Sequence, residues 1–216
     1  MPMEIRLHNI AKHFGREIVF SGVHLVLAPG SRTAILGPNG SGKSTLMQVI
    51  GGALIPTEGT IEHHLAGVKL EQEAVYRHVS IAAPYLGLYE DLSLEQAIDF
   101  HARFKPFRKG IALADMARTA YLEPALQKPV SNFSSGMKQR LKLALAILSD
   151  TPLLLLDEPA SNLDAEAIAW FRKLLQQHAD GRTILIASNR QEAEHDLCTA
   201  RIEIGDYKSA TQATRP

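Results

Sequence analysis

Thr33-Ala34-Ile35-Leu36-Gly37-Pro38-Asn39-Gly40-Ser41-Gly42-Lys43-Ser44 decides the fold. A short apolar run reads as a strand, and the residues after it match G-x-x-x-x-G-K-[ST] at every fixed position. The segment from Lys43 to about Ile50 then reads as a helix, so the motif sits in the strand, loop, helix context that it requires. Glycines at 37, 40 and 42 let the backbone turn tightly and aim its N–H groups at phosphate oxygens, while the helix N-terminus adds partial positive charge. Lys43 has the reach for β- and γ-phosphates, and the Ser44 hydroxyl suits Mg2+. Pro38, Asn39, Ser41 and Thr45 complete the expected nucleotide-binding set. The pattern points to a bound nucleoside triphosphate.

Outward from this loop the chain alternates. Leu153-Leu154-Leu155-Leu156 is apolar on both faces, as expected of a strand buried in a parallel sheet. Asp157 and Glu158 follow it at the carboxyl end, where open α/β sheets place their ligands. Alone the pair also reads as acids capping a strand; beside a phosphate loop, Asp157 reads as a Mg2+ ligand and Glu158 as the general base for an attacking water. A helix from Ala165 to about His178 and a strand, Thr183-Ile184-Leu185-Ile186-Ala187, extend the α/β pattern. Ile5, Leu7, Ile10 and then Val23-His24-Leu25-Val26-Leu27 show the two-residue period of an antiparallel layer. Gly59-Thr60-Ile61-Glu62 and His78-Val79-Ser80-Ile81-Ala82 also read as strands.

From Leu92 the spacing turns helical, broken by Pro106, Gly110, Pro124 and Pro129. The expected fold class is therefore α/β: a mostly parallel sheet with flanking helices, an antiparallel β layer and an inserted helical subdomain. One domain of residues 1–216 is expected, with about 1–83 and 151–216 forming the core and about 84–150 the helical part.

Composition bounds the function. The chain has 216 residues, 45% of them apolar and 21% charged, so a sizeable core is available and a multidomain assembly is excluded at roughly 150 residues per domain. Lys and Arg number 23, as do Asp and Glu; no global field holds a polyanion, and an anion must be met locally. Cys198 is the sole cysteine, which excludes an internal disulfide and fits a reducing compartment, the cytoplasm. It reads as a small core residue. No segment approaches the ~18 apolar residues of a membrane span.

Ser134-Ser135-Gly136-Met137-Lys138-Gln139-Arg140 precedes Leu141, Ala144, Leu145 and Leu148 at helical spacing, which by itself describes a capped amphipathic helix. In order with the two motifs above, however, it resembles the signature motif of ABC-family ATPases, usually L-S-G-G-Q, and the resemblance spans nearly the whole chain. Ser134 and Gly136 match, whereas Phe133, Ser135 and Met137 depart. The resemblance implies an ATP- and Mg2+-dependent ATPase subunit of a membrane transporter. Two cassettes would pair head to tail, with Lys43 of one and Ser134, Ser135 and Gly136 of the other flanking one γ-phosphate. It also implies that Phe14 stacks on adenine, the alternative being an ordinary core phenylalanine. Ser161-Asn162-Leu163-Asp164 resembles the D-loop, and Pro84 to Asp91 the loop that meets a transmembrane permease. The protein would then be peripheral on the cytoplasmic face through that partner.

Two positions break the family pattern. Asn189 stands where a histidine usually contacts the γ-phosphate, and asparagine has a shorter reach and carries no charge, which favours slow hydrolysis. Pro84 stands where a glutamine is expected, so either an insertion shifts the register or that contact is missing. The alternatives are a nucleotide-dependent binding module with weak hydrolysis and a soluble non-transport ABC ATPase. Residues 101–109 interleave basic and aromatic side chains, but in a neutral chain this reads as a solvated or partner-facing run, and no nucleic acid is expected. His63 and His64 lack convergent ligands for a metal.

Overall fold

The computed structural model describes residues 1–189 and 192–208, with Ala193 by its backbone alone. The chain opens with β1 (Met3–Phe14) and β2 (Glu17–Leu27), and β3 (Arg32–Leu36) then leads through the glycine-rich loop into α1 (Lys43–Ile50). β4 (Glu58–Leu65), β5 (Val68–Lys69) and β6 (Val79–Ala82) precede α2 (Leu94–Phe104), α3 (Leu113–Thr119) and α4 (Ser135–Leu148). β7 (Leu153–Asp157), α5 (Ala165–His178), β8 (Thr183–Ser188), α6 (Glu192–His195) and β9 (Ala200–Glu203) follow.

β2, β1, β4 and β5 form an antiparallel sheet in that order, and β6, β7, β8, β3 and β9 form a parallel one. The odd spacing from Leu7 to Ile10 is a bulge. Both pairings of β1 shift register there, and Asn9 takes a left-handed φ of 52°, which carries the extra residue and restores the inward direction of Ile10. The strand expected from His78 begins at Val79, because residues 72–78 form a 3-10 turn ending at His78.

The two-residue period divides β7 between two apolar cores. Leu153 and Leu155 pack with Met3, Ile5, Phe20 and α1's Leu46 beneath the antiparallel sheet. Leu154 and Leu156 face the opposite way, against Leu141 and Leu145 of α4 and Phe171 and Leu174 of α5. All four leucines are fully buried, each stabilising the fold by roughly 1.5–3 kcal/mol relative to exposure. Side-chain caps set the helix starts: Ser134 accepts from the Met137 N–H at 3.2 Å, and Asp164 from the Ala167 N–H at 2.8 Å.

Arg182, 1% exposed, ties the helical side to the parallel sheet. Its Nη1 donates to the Ile147 carbonyl at 2.6 Å, its Nε to the Thr151 carbonyl at 2.9 Å, and its Nη2 to the hydroxyls of Thr151 at 2.6 Å and Ser80 at 2.8 Å. The Ile147 carbonyl lies in the last turn of α4, where backbone acceptors lack intrahelical partners and a cation is favoured. Arg182→Ala would orphan these buried acceptors. We expect it to lower the unfolding free energy by about 2–4 kcal/mol in urea titrations; a loss below about 0.5 kcal/mol would show that the network is dispensable.

Candidate active site

Leu36, Asp157 and Ser188 end β3, β7 and β8, and the parallel register brings these ends to one edge: Leu36 is opposite Ser188, and Asp157 opposite Ala187. The next residue of each strand is Gly37, Glu158 or Asn189. Three turns carrying the expected chemistry thus start side by side.

The loop after β3 depends on glycine at both ends. Gly37 has φ 157°, and a Cβ there would meet Ile204 Cγ2 at 2.6 Å; Gly42 has φ 101°, with Val19 Cγ1 at 2.7 Å. Gly42 is also the N-cap of α1, so the loop delivers its backbone to the positive end of a helix. Lys43 is 4% exposed. Its ammonium donates to the carbonyls of Gly37 at 2.9 Å and Pro38 at 3.1 Å, and lies 3.9 Å from Glu158 Oε1.

Asp157 is 1% exposed, and neither carboxylate oxygen has a hydrogen-bond partner. Burial pushes its pKa up, and the Glu158 charge adds to this; the Ser44 hydroxyl and Lys43 oppose the shift without satisfying the oxygens. The Ser41 hydroxyl is likewise buried without a partner. Buried oxygen donors short of partners, beside a phosphate loop, suit a hard divalent cation. Glu158 is half-buried with a left-handed φ of 45°, and its N–H donates to Ala187 O at 2.9 Å. A non-glycine residue in this region costs on the order of 1–3 kcal/mol and persists only where its surroundings hold it.

The remaining site residues lie on other elements. Phe14 stands at the tip of the β1–β2 hairpin, 53% exposed, with Lys12 Nζ 5.1 Å from its ring centroid; it is a surface platform and not a core side chain. Ser134 and Ser135 are exposed at the start of α4. Gly136 backs onto the loop after Glu158, where a Cβ would meet the Asn162 carbonyl oxygen at 3.3 Å. Arg190, the neighbour of Asn189 and an alternative γ-phosphate contact, lies outside the described residues.

Tyr85 lies in the stretch Pro84 to Asp91, but no signal in the sequence ties it to the acidic pair. Pro84 is exposed and offers no polar side-chain atom, but the next phenol is hydrogen-bonded by the Gln48 side chain. Burial and the Asp157 carboxylate push that phenol up to about 12. The stretch that follows borders a cavity of about 500 Å³ lined by Leu86, Tyr89, Phe100, Phe104, Lys105 and Lys142. Burial pushes Lys105 down to about 8. Within the basic run, His101 stacks on Phe107 and shares a 2.9 Å hydrogen bond with the Ser149 hydroxyl, and burial pushes it down to about 4. His63 bonds the Ile50 carbonyl at 2.7 Å and His64 pairs with Glu62 at 3.1 Å. Cys198 is half-buried against the α4–α5 core, which pushes its thiol up to about 11.

The family model described as ABC transporter matches residues 20–161. The ABC transporter ATP-binding protein YcbN of Bacillus subtilis (strain 168) is 33% identical over 193 residues, covering 88% of this chain and 62% of its own. The cytochrome c biogenesis ATP-binding export protein CcmA of Rhizobium meliloti (strain 1021) is 30% identical over 197 residues, covering 88% and 92%. The chain thus spans a little under two thirds of the first relative and most of the second. Among solved structures, an ATP-binding subunit of an ABC transporter superposes with a TM-score of 0.77 at 27% identity, over 93% of this chain and 86% of the other. A dimeric bacterial ABC transporter cassette gives 0.78 at 24% identity, over 93% and 95%, and shares the fold.

Because the folded-state pKa of Asp157 is raised, the unfolded chain ionises more readily, and a stability penalty is present once both states are ionised. It disappears as pH falls below the ordinary carboxylate value of about 3.9. Asp157→Asn should therefore be more stable than wild type at pH 7 by roughly 1–2 kcal/mol, with the gap closing toward pH 3. Urea titrations across this pH range, without nucleotide or metal, check the sign; a less stable variant at pH 7 would refute it.

Proposed function

The chain belongs to the ABC transporter family of ATP-binding proteins, and on that premise we propose that it is the ATP-hydrolysing subunit of a membrane transporter. The observation that carries this reading is the sheet edge itself: the Lys43 ammonium 3.9 Å from the Glu158 carboxylate, with unpartnered Asp157 beside them. ATP binding exchanges the carbonyl contacts of Lys43 for β- and γ-phosphate oxygens. The loop N–H groups from Gly37 to Thr45 cradle the same phosphates, and Phe14 stacks on adenine.

Ser44 and Asp157 would hold Mg2+, which supplies charge that offsets the negative charge of the transferring phosphoryl group. Glu158 takes a proton from water as its oxygen bonds the γ-phosphorus; the bond to the β–γ bridging oxygen breaks, leaving ADP and phosphate. Asn189 donates a hydrogen bond to the γ-phosphate. Ser134, Ser135 and Gly136 meet the γ-phosphate of a second copy's ATP, so the working unit is a homodimer that closes on ATP and reopens after hydrolysis.

Residues 84–91 and the cavity beside them receive a transmembrane permease, which places the chain on the cytoplasmic face of the membrane. Among the described residues no helix is long and apolar enough to cross one. The helical residues of about 84–150 act as the arm that moves with that partner.

Glu158→Gln keeps the shape of the site without a proton acceptor. We expect ATP to stay bound, a dimer to accumulate on size-exclusion chromatography, and phosphate release to fall by about 100-fold or more. Wild-type turnover in this variant would remove Glu158 from its role. If the short, neutral donor at Asn189 limits the chemical step, Asn189→His should raise kcat about tenfold with little change in ATP affinity, since one well-placed donor is worth roughly 2.7–4 kcal/mol. Single-turnover hydrolysis at saturating MgATP decides this, and an unchanged or lower rate would refute it.

A further inference from the structure

The peptide group joining Pro159 to Ala160 is gripped at both poles. On one side, Gln139 of α4 donates its Nε2–H to the Pro159 carbonyl at 2.9 Å. On the other, the Ala160 N–H donates to Glu194 Oε1 of α6 at 3.0 Å. A trans peptide is planar with its C=O and N–H pointing in opposite directions, so these two contacts fix the orientation of the plane. Both gripping side chains are buried, Gln139 at 6% exposed and Glu194 at 2%.

The second oxygen of Glu194 is also in use: the Ser188 hydroxyl, at the end of β8 immediately before Asn189, donates to Oε2. Glu194 therefore joins two turns of the site, the one after β7 and the one after β8. A buried carboxylate is a poor choice for packing, since it costs several kcal/mol that an apolar side chain of the same size would not. Its burial, together with the nearby carboxylates of Glu158 and Asp157, pushes its pKa up; it stands within electrostatic reach of both acids.

The held plane begins one residue after Glu158. Proline fixes its own φ, so orienting the 159–160 plane leaves little freedom in how the chain leaves Glu158, whose left-handed φ of 45° needs external support. Two residues further on, Asn162 is again left-handed at φ 62°, and its carbonyl lies against Gly136 at the start of α4. The same helix thus touches this loop twice, through Gln139 and through Gly136.

We propose that Gln139 and Glu194 are positioning residues that hold the Pro159–Ala160 peptide plane, thereby aiming Glu158 and tying the end of β8 to the signature turn of α4. Neither touches the reacting atoms. The inference rests on the function proposed above for Glu158, Asn189 and Ser134. It adds a mechanical path by which the state of one protomer's γ-phosphate end reaches the turn that meets the other protomer's nucleotide.

Two measurements on the full chain test this. In MgATP hydrolysis, Glu194→Ala and Gln139→Ala should each lower kcat about tenfold or more with KM for ATP nearly unchanged, because displacement of a catalytic group by about 1 Å costs on the order of 100-fold. Glu194→Gln, whose amide accepts from the Ala160 N–H and donates to the Ser188 hydroxyl, should recover most of the rate. In hydrogen exchange without nucleotide, the amides of residues 158–163 should exchange faster in both alanine variants and as in wild type in Glu194→Gln. Wild-type kcat in both alanine variants, or unchanged exchange of the loop, would overturn the proposal. The glutamine variant behaving like the alanine one would do the same. If one alanine variant fails to fold, the other still tests the plane from its opposite pole. Should the wild-type chain bind but not hydrolyse ATP, the proposed function fails, and the exchange experiment still decides whether the plane is held.

Discussion

β7 has to be covered on both faces. Its four leucines are apolar in unbroken succession, and a strand of that kind is stable only between two layers. The antiparallel sheet with α1 supplies one cover, and α4 with α5 the other. Once both faces are closed, the space open to a ligand lies past the strand ends, and parallel register sends all the carboxyl ends to one side. The phosphate loop, the acidic pair and Asn189 are neighbours for this reason, although more than 100 residues of chain separate Leu36 from Asp157.

The sheet edge concentrates features that cost stability. Glu158 and Asn162 hold left-handed backbones, Asp157 is buried without a partner, and the Lys43 side chain is only 4% exposed. Such features survive where the frame over-determines them. Here the frame is the doubly covered sheet and the buried Arg182 that fastens the C-terminal end of α4 to it, so rigidity some distance from the site underwrites strain within it.

Reading the sequence succeeded where a local rule was sufficient. The glycine-rich loop between β3 and α1, the limits of α5, the strands around Leu153 and Thr183 and the cap at Ser134 all follow from periodicity, capping or a fixed motif, and each appears in the fold. β9 is not legible in the sequence, because Ala200-Arg201-Ile202-Glu203 has one buried residue and owes its strand to pairing with β3. The electrostatic influence of Asp157 on Tyr85 and the hydrogen bond of Ala160 to Glu194 are invisible for a different reason. They join residues tens of positions apart, and no spacing along the chain records which peptide N–H a buried carboxylate will meet. A missing family letter at Pro84 could be seen, but not the phenol beside it.

The orphaned carboxylate of Asp157 also makes the folded state thermodynamically open to its ligands. Any species that pairs with it in the folded chain and has no matching site in the unfolded one adds RT ln(1 + [L]/Kd) to stability, about 2.7 kcal/mol at a hundredfold excess over Kd. Resistance to unfolding is then a function of occupancy, so the melting temperature of the intact chain reports how full the site is, with no turnover required.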